Sequence, residues 1–133
     1  MPLITTFYAG LLGLLALSLA WLVVTNRRRA QVGLGSGGDA ALERAIRVHG
    51  NFTEYAPLVL ILLGLAELSG APVWLLHASG AVFVAARVAH ALGLSARSGI
   101  SRGRFFGTLA TWLVLLVLAV TDVWLGVAAL AAA

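Results

Sequence analysis

The sequence predicts an all-α membrane protein, a four-transmembrane-helix bundle in a single domain. Three observations carry that expectation. The 133 residues are 61% hydrophobic and 11% charged, whereas a soluble domain is nearer half apolar and about a quarter charged. Mean hydropathy is +1.00. The chain also contains four apolar runs that approach the roughly 20 residues a spanning helix needs, and most of its nine basic residues, all arginine, sit beside those runs.

The first helix is expected at about residues 3–25. Its run from Leu3 to Thr25 has no charge, and no basic residue precedes it, so it reads as a span and not as a cleaved signal. The stretch "NRRRAQVGLGSGGDAALERAIR" follows. Its "GLGSGG" resists regular structure, and Asp39 is placed to cap a helix beginning near Ala40, because a carboxylate accepts the free N–H groups of a first turn. The second helix is expected at about residues 40–69. Its apolar body, Ala56 to Leu68, is too short to span unless the helix reaches back to Arg47, which makes the polar stretch "RVHGNFTEY" part of it. "SGAP" then reads as a tight hairpin, with Gly70 at the C-cap and Pro72 in the next first turn. The third helix is expected at about residues 73–95 and the fourth at about 103–131, joined by "SARSGISRGR".

Arginine is distributed unevenly. Arg27, Arg28, Arg29, Arg44 and Arg47 flank the first loop and Arg97, Arg102 and Arg104 the third, while the second loop and both termini carry none. The positive-inside rule therefore predicts cytoplasmic first and third loops and both termini on the opposite side. The net charge of +4 has this topological cause, so nucleic acid is not expected as a partner. With no cysteine, a disulfide framework, a thiolate metal site and a cysteine nucleophile are excluded.

Polar residues cluster at the start of the second span. Arg47, Asn51, Glu54 and Tyr55 stand at i, i+4, i+7 and i+8, one helical face, with His49 in the same stretch. Glu54 lies ~10 Å deeper than Arg47. A carboxylate facing lipid near the bilayer centre costs about 2.5 kcal/mol or more, so Glu54 is predicted to face other helices or a wet pocket. Arg87 and His90, at i and i+3 on the third helix, follow the same logic. In one reading Arg47 and Arg87 neutralise Glu54 and simply hold the bundle together. In the other the cluster binds a ligand: amide, carboxylate, phenol, imidazole and guanidinium groups converge, and arginine exceeds acid. Arginine forks carboxylates, Glu54 suits an ammonium, Asn51 suits peptide groups, and a further arginine favours a thiolate. Glutathione combines these features. No metal is expected.

"RVHGNFTEYAPL", followed by "ARVAH" and "SRGRFF", resembles the MAPEG family, the membrane-associated proteins of eicosanoid and glutathione metabolism, and its small bacterial members in particular. The resemblance implies a homotrimer in the bacterial inner membrane, with glutathione as co-substrate bound between subunits near the cytoplasmic side. Arg47, Asn51, Glu54 and Tyr55 match the glutathione-contacting face of the second helix, and His49 a polar position of the same motif. Arg87 and His90 match the R-x-x-H of the transferase and prostaglandin E synthase branches. Arg102 matches the arginine proposed to stabilise the thiolate; the match needs a one-residue gap, which leaves Arg104 as the alternative. One of Arg27, Arg28 and Arg29 matches the arginine that reaches glutathione from a neighbouring subunit. Two positions depart from the pattern: Leu94 stands where eukaryotic enzymes carry tyrosine, and Gly50 where some branches carry arginine.

The implied activity is that of a membrane-bound glutathione transferase or peroxidase acting on hydrophobic electrophiles or lipid hydroperoxides. The alternative is a non-catalytic inner-membrane binding or structural protein of the same fold, which Leu94 favours. Of the remaining polar residues, Glu67 and His77 read as an interfacial pair at the outer hairpin, with too few ligands for a metal site, and Asp122 as an interface or capping residue. Trp21, Trp74 and Trp124 fit aromatic belts, and Trp112 packs or lines a lipid-facing cleft. Gly10, Gly13, Gly64 and Gly80 are expected to permit close helix contact.

Overall fold

The computed structural model describes residues 1–96 and 101–132. Four helices, α1 (Leu3–Ala30), α2 (Ala40–Leu68), α3 (Val73–Ala96) and α4 (Arg102–Ala131), make up the architecture, and all four are long and apolar enough to cross a bilayer. The reading of Arg97 as a loop charge lies outside the described residues.

The helix ends follow from local chemistry. α1 continues past Thr25 through Arg27, Arg28 and Arg29, because cations suit the negative end of the helix dipole. Gln31 closes it in the left-handed conformation at φ 55, its N–H donating to the Arg27 carbonyl. Asp39 opens α2, accepting from the Leu42 N–H at 2.8 Å and from Arg29 at 2.7 Å. Its carboxyl is held below the usual carboxylate range, chiefly by the Leu42 N–H; partial dehydration opposes this and the Arg29 charge adds to it. A depressed pKa means that this contact stabilises the fold at neutral pH and ceases to as pH falls through the lowered value. α2 ends at Leu68 with Ser69 as its cap; Gly70 then turns the chain at φ 82, with the Ala71 N–H donating back to the Ala66 carbonyl at 2.9 Å. Ser101 caps α4, its hydroxyl oxygen accepting from the Arg104 N–H at 3.2 Å.

α1 packs on α2 and α3, and α4 packs on α3 and α2, while α1 and α4 do not meet among the described residues. Leu12, Phe52, Leu63, Leu76, Phe83 and Leu118 are buried between them. Lipid is as apolar as these side chains, so close packing, and not water exclusion, holds such helices together. The backbones of α3 and α4 approach closely. A Cβ at Gly103 would sit 2.7 Å from the Ala89 carbonyl oxygen, and one at Gly107 2.6 Å from that of Ala86. Gly80 accommodates the Tyr8 ring, which a Cβ would overlap. Gly10 and Gly13 meet no other helix among the described residues: both are exposed, with nothing within 4 Å of a Cβ. Gly64 makes only an ordinary contact with Thr5 at 3.6 Å.

Glu67 and His77 are not paired with one another. Glu67, at the end of α2, caps α1, accepting from the Ile4 N–H at 2.9 Å and from the Thr5 N–H and hydroxyl, each at 2.7 Å. Those N–H groups have no intrahelical partner, so an antiparallel neighbour's carboxylate satisfies them. His77 Nδ1 instead lies 3.2 Å from the Tyr8 hydroxyl.

Asp122 makes no capping bond: both carboxylate oxygens are buried with no partner among the described residues. An unpartnered buried carboxylate opposes folding, so Asp122→Asn is expected to raise the unfolding temperature of the detergent-solubilised protein. A lower temperature would mean that the carboxylate finds a partner in the assembled protein.

Candidate functional site

At the arginine-rich end, α2, α3 and the start of α4 surround a pocket of about 260 Å³. α2 contributes Ala40, Glu43, Arg44, Arg47 and Asn51, α3 contributes His90 and Leu94, and α4 contributes Arg104. The α2 residues fall at i, i+3, i+4, i+7 and i+11, the stripe that a helix presents to one neighbour. His90 and Leu94 are buried in the opposite wall.

Arg87 stands behind this wall and is only 2% exposed. Its Nη1 donates to Asn51 Oδ1 at 2.8 Å and its Nη2 to the Gly107 carbonyl at 3.0 Å. The same carbonyl accepts from the Thr111 hydroxyl at 2.8 Å. The guanidinium carbon lies 5.4 Å from the Tyr55 ring centroid and 5.8 Å from that of Phe83, within the range of cation–π attraction. No carboxylate among the described residues pairs with it. Arg47 and Arg87 therefore do not neutralise Glu54, which is exposed; the ion pair found among the described residues joins Arg29 to Asp39 at 2.7 Å. Hydrogen bonds and ring faces take the place of an anion around Arg87.

Of the residues expected at a site, Arg47, Asn51 and His90 line the pocket, and Arg87 adjoins it through Asn51. Tyr55 lies one turn further along α2, its hydroxyl accepting from Trp112 Nε1 at 3.1 Å. His49 and Glu54 do not line the pocket. Arg27 closes the first loop, donating to the Gly35 carbonyl at 2.9 Å. Arg102 is exposed on the first turn of α4, outside the pocket that Arg104 lines. Glu43 and Arg44 were not anticipated; their spacing of four and three residues before Arg47 was the available signal.

A second, mainly apolar cleft of about 380 Å³ runs along α4, lined by Ser101, Arg104, Phe105, Thr108, Leu109 and Trp112. Arg104 lines both cavities. Chemically, the first offers three guanidinium groups to anions, one carboxylate to a cation, and Asn51 and His90 for directed hydrogen bonds. Among the described residues no cluster of three or more His, Cys, Asp or Glu could hold a metal.

Four apolar helices with an arginine-lined pocket set into one end define an integral membrane protein. The sequence matches the model of the MAPEG family over residues 5–124, and the chain belongs to that family. It is similar to inner membrane protein YecN of Escherichia coli strain K12, 36% identical over 121 residues covering 91% of each chain. The protein of the same name from Escherichia coli O6:H1 strain CFT073 gives the same figures.

Proposed function

We propose that this protein is an inner-membrane glutathione transferase or peroxidase acting on hydrophobic electrophiles or lipid hydroperoxides. The observation that carries the reading is that Arg104 lines both the arginine-lined pocket and the apolar cleft. Glutathione enters the pocket from the cytoplasm, its carboxylates forked by Arg44 and Arg47. The electrophile enters the cleft from the bilayer. Arg104, common to both, holds the sulfur as thiolate, because a nearby cation favours the anion. In the transferase reaction the thiolate forms a carbon–sulfur bond and the electrophile's leaving group, or its opened oxygen, takes the electron pair and a proton. In the peroxidase reaction two glutathiones are oxidised to the disulfide while the hydroperoxide is reduced to alcohol and water.

The active form is a homotrimer, with its first and third loops cytoplasmic and its termini periplasmic. Glu54 supports assembly: exposed on a spanning helix of one chain, a carboxylate gains from covering by protein. One of Arg27, Arg28 and Arg29 reaches the glutathione of a neighbouring chain. A non-catalytic binding protein is the second reading, favoured by Leu94, which lines the pocket without a hydroxyl.

The test is glutathione titration of the purified protein, with the assembly weighed by native mass spectrometry. Saturable binding with an ultraviolet thiolate signal is expected. Arg47→Ala should weaken it, and Glu67→Gln, at the far end of the bundle, should leave affinity unchanged in an intact trimer. Binding without a thiolate signal would favour the non-catalytic reading, and no binding would end the glutathione assignment.

A further inference from the structure

The end of the Asn51 amide that faces the pocket is decided by its neighbour. An amide carries an acceptor oxygen and a donor nitrogen of similar size, and the hydrogen-bond network tells them apart. Arg87 Nη1 lies 2.8 Å from the Asn51 side chain. A guanidinium only donates, so the atom facing it is the oxygen, and the NH2 group is left for the pocket that Asn51 lines.

Arg87 is itself held firmly enough to impose this choice. Its second amino group donates to the Gly107 carbonyl at 3.0 Å, the Tyr55 and Phe83 rings flank it, and it is 2% exposed. It does not line the pocket. We infer that Arg87 is a positioning residue, which fixes Asn51 as a hydrogen-bond donor and so sets the Asn51 wall of the pocket to receive a carboxylate or peptide carbonyl of the ligand rather than an ammonium. Only the choice of glutathione as that ligand rests on the function proposed above.

The decisive variant is Asn51→Asp. It gives Arg87 an anionic partner and at the same time removes the donor from the pocket. Glutathione binding is expected to weaken by about 10- to 100-fold, the loss of a hydrogen bond to a charged group, while the unfolding temperature rises. In the wild type the Asn51 side-chain NH2 resonances should shift on adding glutathione, a signal that a purely structural role for Arg87 would not produce. Unchanged affinity in Asn51→Asp, with the fold intact, would overturn the inference. Should the wild type not bind glutathione, the function proposal fails by itself, and the positioning claim is then judged without ligand: Asn51→Asp must raise the unfolding temperature in the native background and not in Arg87→Gln. Arg87→Met, which fills the space with neither charge nor donor, replaces Arg87→Gln if the latter does not fold. Equal effects of Asn51→Asp in both backgrounds would refute the coupling.

Discussion

Arg104→Ala is expected to bind glutathione but to hold it as the thiol, and to slow turnover at neutral pH on the order of 100-fold, the scale seen when one group stabilising a reacting anion is removed. Removing a nearby cation disfavours the thiolate, so the pKa of the bound thiol rises. Affinity falls much less than rate, because Arg44 and Arg47 still face the carboxylates. Raising the pH should therefore recover part of the lost rate, and a pH–rate profile with thiolate absorbance reads both effects. Arg102→Ala is the comparison. Arg102 is exposed outside the pocket that Arg104 lines, so its loss should leave the thiolate signal near wild type. If Arg102→Ala abolishes the signal and Arg104→Ala does not, the start of α4 engages its ligand through the other arginine.

Gly107→Ala is expected to destabilise the bundle and to remove glutathione binding together. The added Cβ would lie 2.6 Å from the Ala86 carbonyl oxygen, 2.8 Å from the His90 Cβ and 2.9 Å from the His90 N. None of these is the end of a flexible side chain, so α3 and α4 must separate. Overpacking of this kind costs about 1–3 kcal/mol. Separation also pulls the Gly107 carbonyl from Arg87 and Thr111, and leaving such buried groups unsatisfied adds a further ~1–3 kcal/mol. Gly126→Ala is the control. Nothing lies within 4 Å of a Cβ there, and alanine is the better helix former by about 0.5–1 kcal/mol. Thermal melts and glutathione titration of the two variants check the contrast. An unchanged melting temperature in Gly107→Ala would mean that α3 and α4 stand further apart in the membrane than they do here.

Both contrasts turn on where helices meet, which sequence patterns express only in part. The four spans were legible because hydropathy is a sum over neighbours along the chain. The cap by Asp39 and the turn at Gly70 were legible for the same reason: each satisfies backbone groups within a few residues. So was the polar face of α2, since helical spacing alone puts Arg47 and Asn51 on one side. The choice of partner for each polar group was not legible. Arg87 takes the Asn51 amide and the Gly107 carbonyl instead of Glu54, Glu67 caps α1 instead of meeting His77, and Arg104 instead of Arg102 lines the pocket. Of the close-contact glycines, Gly80 under Tyr8 was legible and Gly103 and Gly107 at α3–α4 were not. Each of these outcomes depends on how one helix is rotated and shifted against another. Local spacing decides which residues share a face. Which face meets which neighbour follows from the packing of side chains far apart in sequence, and that is set only when the bundle closes.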